Sequence, residues 1–139
     1  MRSYWGGMLA QGATTFWETY DPKEGYPKRL AMYGNRYGKS LCHAWGASPV
    51  YLLGKYYLGV RPTKPGYAEW ECRPCLGDLK WMKGDVPTPH GNIHIEMTRK
   101  QITIDSKGCG PGKLIIGQKE VMVNPDQRIV VSLRSLHLR

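Results

Sequence analysis

Two short stretches carry side chains whose types and spacing could do chemistry. The first is Gly12-Ala13-Thr14-Thr15-Phe16-Trp17-Glu18, which sets a carboxylate beside an indole in a run too rich in Gly and Thr for a good helix. Saccharide rings stack on Trp faces, and hydrolytic cleavage of a glycosidic bond works through paired carboxylic acids. The second is Ser40-Leu41-Cys42-His43, with an imidazole able to hydrogen-bond a polar ligand. A third pattern is weaker. Cys72-x-x-Cys75 looks like half a zinc site, but no second such pair follows, and His43, His90 and His94 lack ligand spacing. No metal is expected. The four cysteines, Cys42, Cys72, Cys75 and Cys109, allow three disulfide pairings, none selected by the sequence, and free, partly buried thiols are the preferred reading.

The elements that must position these groups are bounded by size and composition. A chain of 139 residues suffices for one ordinary domain or for two small pieces sharing an interface. With 41% hydrophobic and 22% charged residues it reads as globular rather than disordered. Five Trp and nine Tyr stand against a single Phe, and both abundant types join a flat apolar face to a polar handle. The net charge of +9 raises nucleic acid as a partner. The basic residues, however, are spread from Arg2 to Arg139, and no nucleic-acid-binding signature accompanies them, so a generally basic surface is expected. Met1 to Gly7 lacks the apolar core of a signal peptide. No run approaches the ~20 apolar residues of a membrane span.

Composition changes near Arg61-Pro62-Thr63-Lys64-Pro65-Gly66, a connector by its prolines and glycine. Before it, Tyr4 to Gln11 reads as a helix end stopped by Gly12, and Thr14 to Asn35 as loop. A helix is expected from Ser40 to about Tyr57, either kinked at Pro49 or restarted there by Ser48. Leu52, Leu53, Tyr56 and Tyr57 form its apolar face, and Gly59 ends it. After the connector the period becomes two: around Trp70, from Ile93 to Met97, at Ile102 and Ile104, from Leu114 to Ile116, at Val121 and Val123, and from Ile129 to Leu133. Turn signals separate these runs, which predicts an antiparallel β-sandwich or barrel. The helical part is too small to enclose a core of its own. The chain therefore reads as the tail of something larger.

Read in order, Trp5-Gly6-Gly7-Met8-Leu9, Gly12 to Glu18, Tyr20-Asp21-Pro22 and Ser40-Leu41-Cys42-His43-Ala44-Trp45 closely resemble the end of the catalytic domain of bacterial α-L-rhamnosidases. Pro49-x-Tyr51-Leu52-Leu53, Leu58-Gly59-Val60, Pro65-Gly66-Tyr67, Leu79-x-Trp81, Gly84-x-Val86-Pro87-Thr88-Pro89-x-Gly91 and Ile93-x-Ile95 continue the likeness into an appended sandwich. It covers residues 1 to about 100 and fades beyond Lys100. The resemblance implies the terminal helical hairpin of an (α/α)6 barrel over residues 1–60 and an antiparallel β-sandwich over 61–139. It further implies an inverting hydrolase of terminal α-L-rhamnosides. In such enzymes one acid protonates the leaving oxygen and a carboxylate roughly 6.5–9.5 Å away activates water. By motif position Glu18 matches that general base, His43 matches a sugar-contacting histidine, and Trp17 helps wall the pocket. The acid lies on an earlier barrel loop in the family and has no counterpart here.

The chain alone is therefore expected to be inactive, with no cofactor. Its expected partners are a rhamnose-containing saccharide and either the missing N-terminal barrel portion or an oligomer partner over the helical face. Nucleic acid and membrane are not expected. Localisation stays open between the cytoplasm and the periplasm or exterior. The alternative is a non-catalytic carbohydrate-binding or accessory β-sandwich module.

Overall fold

The computed structural model describes residues 1–133 and divides into two compact units, Met1–Tyr51 and a second from Leu52 onward. The fold class is the expected one, a small helical part followed by a two-sheet β-sandwich.

In the first unit, helix α1 (Trp5–Ala10) is closed by Gly12 at φ +83, a left-handed value that glycine adopts at little cost. A single 3-10 turn, Lys28–Leu30, interrupts the loop that follows. The chain then reverses through Tyr33-Gly34, both at positive φ, with Met32 and Asn35 exchanging N–H···O bonds of 2.9 Å each way. The helix expected from Ser40 does not begin there. Residues 40–43 are irregular, bending at Leu41 and Cys42, a 3-10 turn covers Ala44–Ala47, and α2 occupies only Ser48–Leu52, with Pro49 in its first turn. The reason is that the backbone of this segment pairs across the chain instead of along it. Glu18 N donates to Ser40 O (2.9 Å), Ser40 N to Glu18 Oε2 (3.1 Å) and His43 N to Phe16 O (2.8 Å), so these groups are committed outside a helical ladder.

The second unit opens with π-helical turns over Leu53–Leu58, ended by Gly59 at φ +77. A Cβ at Gly59 would stand 2.0 Å from Arg73 O, so glycine is required twice over. Eight strands follow: β1 (Val60–Pro62), β2 (Trp70–Cys72), β3 (Trp81–Thr88), β4 (Gly91–Thr98), β5 (Gln101–Asp105), β6 (Gly112–Ile116), β7 (Lys119–Val123) and β8 (Arg128–Ser132). One sheet runs β1-β2-β6-β7 and the other β3-β4-β5-β8; every pairing is antiparallel except β2 with β6. Val60, Trp70, Cys72, Leu114 and Val123 from the first sheet meet Met82, Val86, Ile93, Ile95, Met97, Ile102 and Ile104 from the second in one core. Each such fully buried aliphatic side chain contributes roughly 1.5–3 kcal/mol.

All six expected strand runs are strands. Two strands have no counterpart among them. Strand β3 carries Gly84 where an inward apolar residue would stand, because Leu58 already fills that space: a Cβ at Gly84 would lie 2.9 Å from Leu58 Cδ1. Strand β1 ends in Pro62, which is tolerated because β1 is a sheet edge.

Candidate active-site carboxylate

The segment Phe16–Glu18 and the segment Ser40–His43 lie side by side in the first unit. Besides the two backbone bonds above, Thr15 Oγ1 donates to Leu41 O. Two indoles complete the frame. Trp45 Nε1 donates to Glu18 O at 3.1 Å, and Trp5 Nε1 to Gly46 O at 2.8 Å. Gly46 is buried against the Trp17 carbonyl, 2.5 Å from where a Cβ would sit. Backbone placement of Glu18 is thus fixed from three directions.

Its side chain is fixed as well. Glu18 is only 5% exposed, unusual for a carboxylate without bonded partners, but both oxygens are engaged. Tyr33 donates its hydroxyl to Oε1, Ser40 N–H donates to Oε2 at 3.1 Å, and His43 Nδ1 stands 3.9 Å from Oε2. The Tyr33 hydrogen bond holds the carboxyl below the usual carboxylate range. The Ser40 amide, His43 and the buried Lys39 ammonium act in the same direction, against burial. Lys39 is balanced by Glu24, 3.9 Å from its Nζ. The Tyr33 phenol is pushed up by the same bond.

Of the three residues singled out in the sequence, Glu18 and His43 are brought together and Trp17 adjoins them. The Trp17 indole, 6% exposed, is core of this unit rather than open wall. Trp45 is 65% exposed and packs its ring against His43, with centroids 4.1 Å apart. Tyr33 and Lys39 escaped the sequence reading. The signal that could have found Tyr33 is the Gly34-Asn35 pair, a turn marker that predicts a tight reversal. Asp21, the carboxylate nearest in sequence, accepts Lys23 N at 2.8 Å and closes its own turn. A fixed, ionised carboxylate can act as a general base once a substrate and a water are docked beside it.

Elsewhere, Thr63, Glu69, Glu71, Arg73, Lys113 and Glu120 line part of an open groove of about 490 Å³ on the β1-β2-β6-β7 sheet. Its aromatic residue, Trp70, is buried, so the groove offers no ring face for a sugar to stack on. Among the described residues no three His, Cys, Asp or Glu side chains gather as a metal site requires, and no helix is long and apolar enough to cross a membrane. The four cysteines are free thiols.

Residues 59–107 match the model of the bacterial alpha-L-rhamnosidase C-terminal domain. An alpha-L-rhamnosidase of Alteromonas sp. (strain LOR) is 30% identical over 98 residues, covering 68% of this chain and 10% of that protein. The GH78 family rhamnosidase of Bacillus sp. GL1 superposes with a TM-score of 0.52 at 33% identity, over 76% of this chain and 10% of its own. The native α-L-rhamnosidase of Aspergillus terreus gives a TM-score of 0.71 at 18% identity, over 91% and 15%, a likeness of fold alone. The chain thus spans about a tenth of the length of the curated relative it matches. With the ordered motifs, the sandwich and these likenesses agreeing, the chain belongs to the α-L-rhamnosidase family and corresponds to the C-terminal part of its much longer members.

Proposed function

We propose that this chain is the C-terminal portion of an inverting α-L-rhamnosidase and that Glu18 is its general base. In this reading residues 1–60 end the helical-barrel domain and the sandwich follows from residue 61. The observation that carries it is the buried Glu18 carboxylate, with donors on both oxygens and a histidine beside it. Inversion requires a carboxylate that is ionised when water arrives and accepts one of its protons as oxygen bonds to the anomeric carbon. A carboxyl held below its usual range meets the first condition. His43 hydrogen-bonds a sugar hydroxyl, and the exposed Trp45 ring offers an apolar face. The partner acid, which protonates the departing oxygen, comes from outside these 139 residues; Asp21 is committed to its turn. The chain by itself then turns over substrate negligibly, because the leaving group departs unprotonated. Val50 and Tyr51 in the first unit are exposed apolar side chains that further protein of the same enzyme would cover.

The test is to restore an upstream rhamnosidase barrel and follow release of an aryl α-L-rhamnoside. Glu18→Gln is expected to lower turnover by roughly 10²–10⁴-fold, the usual worth of a general base. Near-wild-type turnover would overturn the assignment.

A further inference from the structure

Tyr33 is held in a conformation its side chain does not favour. Its φ of +53, followed by Gly34 at +76, makes a reversal of the type I′ kind, whose central positions ordinarily take Asn, Asp or Gly. Burial does not offset this, since Tyr33 is 75% exposed. What the conformation achieves is a reach: the hairpin carries the phenol across to Glu18 Oε1. The other oxygen is held from a different segment by Ser40 N–H. The carboxylate is thereby gripped at both ends and has lost its freedom to rotate.

We propose that Tyr33 is a positioning residue, whose hydroxyl locks the plane of the Glu18 carboxylate so that a fixed edge meets the attacking water. This rests on the general-base reading of Glu18. The proton taken from water goes to Glu18 and nowhere further, because the phenol already carries its own proton and donates it to Oε1 throughout. The same bond favours the charged carboxylate, so the base stays ionised into mildly acidic solution.

The direct test needs no turnover. Carbon-detected NMR titration of the Glu18 carboxyl, in the full chain, compares the wild type with Tyr33→Phe and Tyr33→Asn. Phenylalanine keeps the ring and removes only the hydroxyl; asparagine suits the left-handed backbone and removes the whole reach. In both variants the Glu18 midpoint is expected to move upward. An unmoved midpoint in both would overturn the inference. In an enzyme completed with its barrel, Tyr33→Phe is expected to move the acid limb of the kcat profile upward and to lower kcat about tenfold, the equivalent of one charge-assisted hydrogen bond, with KM little changed. A loss confined to KM would count against positioning. Full turnover in Glu18→Gln would remove the base reading while leaving the titration result standing, so the two failures are separable.

Discussion

Gly112→Ala tests the sandwich at its least ordinary joint, the parallel pairing of β2 with β6. Trp70 and Gly112 are register partners in that pairing, and the indole lies over the glycine. A Cβ at position 112 would stand 2.2–2.4 Å from Trp70 Cε2, Cζ2 and Cδ2, so the ring must withdraw by about 1 Å to restore ordinary contact. It is not free to do so. Trp70 Nε1 donates to Gly110 O at 2.8 Å, Trp70 N to Pro111 O at 3.3 Å, and the side chain is almost completely buried. Overpacking of this kind costs about 1–3 kcal/mol, and a broken indole hydrogen bond adds about 1. The expected loss is therefore ~2–4 kcal/mol, a large share of the ~5–15 kcal/mol that holds a domain together. Urea unfolding followed by tryptophan fluorescence reads it directly. Gly117→Ala is the control. Unlike Gly112, Gly117 has positive φ (+59), but a Cβ there meets nothing within 4 Å, so its cost is the conformational penalty of ~1 kcal/mol alone. If Gly112→Ala costs no more than Gly117→Ala, steric exclusion is not what the glycine provides, and the reasoning fails.

Other perturbations separate surface from core. Alkylation with iodoacetamide at pH 8 should label exposed Cys42 and Cys75 while sparing Cys72, whose thiol is buried, donates to Leu58 O at 3.3 Å and is pushed up to about 12; equal labelling of Cys72 and Cys75 in the folded protein would contradict this. Lys113→Ala breaks an ion pair of 2.9 Å with Glu120 between partly exposed side chains, and the unfolding midpoint should shift by less than ~1 kcal/mol equivalent. Gly6→Ala lies in α1 with open space around the added methyl and should stabilise the first unit by about 0.5–1 kcal/mol, read as a rise in Tm. Acid unfolding of the first unit should depend on Glu18. Its native pKa lies below the unfolded value, so its contribution is complete above the ordinary carboxylate range and is lost as pH falls through the native value; Tyr33→Phe should weaken that pH dependence.

The sandwich was legible in the sequence wherever the core side of a strand is filled by its own side chains. Ile93, Ile95 and Met97 alternate with polar residues, and the same residues line the core. Legibility stopped where one element borrows another's volume. Strand β3 hides its period because Leu58 substitutes for the side chain that Gly84 lacks. Segment 40–43 was mistaken for helix because helix propensity says nothing of partners. Its backbone bonds go to Phe16 and Glu18, more than twenty residues back. The site suffered in the same way. Glu18 and His43 were readable as motif words, but Tyr33 enters only through a backbone reversal whose reach no local pattern encodes.

The direction of the Glu18 shift bears on the proposal that this carboxyl serves as a base and not as an acid. A carboxyl that must donate a proton to a leaving oxygen near neutral pH has to be raised, by apolar surroundings or by a like charge nearby. Glu18 has the first of these ingredients, since it is buried beside Trp17. Burial alone would make it an acid. What reverses the outcome is its surroundings: a phenol and an amide that donate hydrogen bonds, and a histidine and a buried lysine that act through charge, each favouring the anion. Removing these groups one at a time should therefore raise the carboxyl stepwise. Tyr33→Phe takes away the largest of these influences. Adding Lys39→Met, which keeps the bulk and removes the charge, should raise the carboxyl further, which under the general-base proposal narrows the pH range in which Glu18 is ionised. In the completed enzyme that double variant should lose turnover most steeply on the acid side and recover as pH rises. Glu18→Gln, by contrast, should show its roughly 10²–10⁴-fold loss with no recovery as pH rises. A double variant as flat and as dead as Glu18→Gln would show that the surrounding groups hold the fold and not the charge.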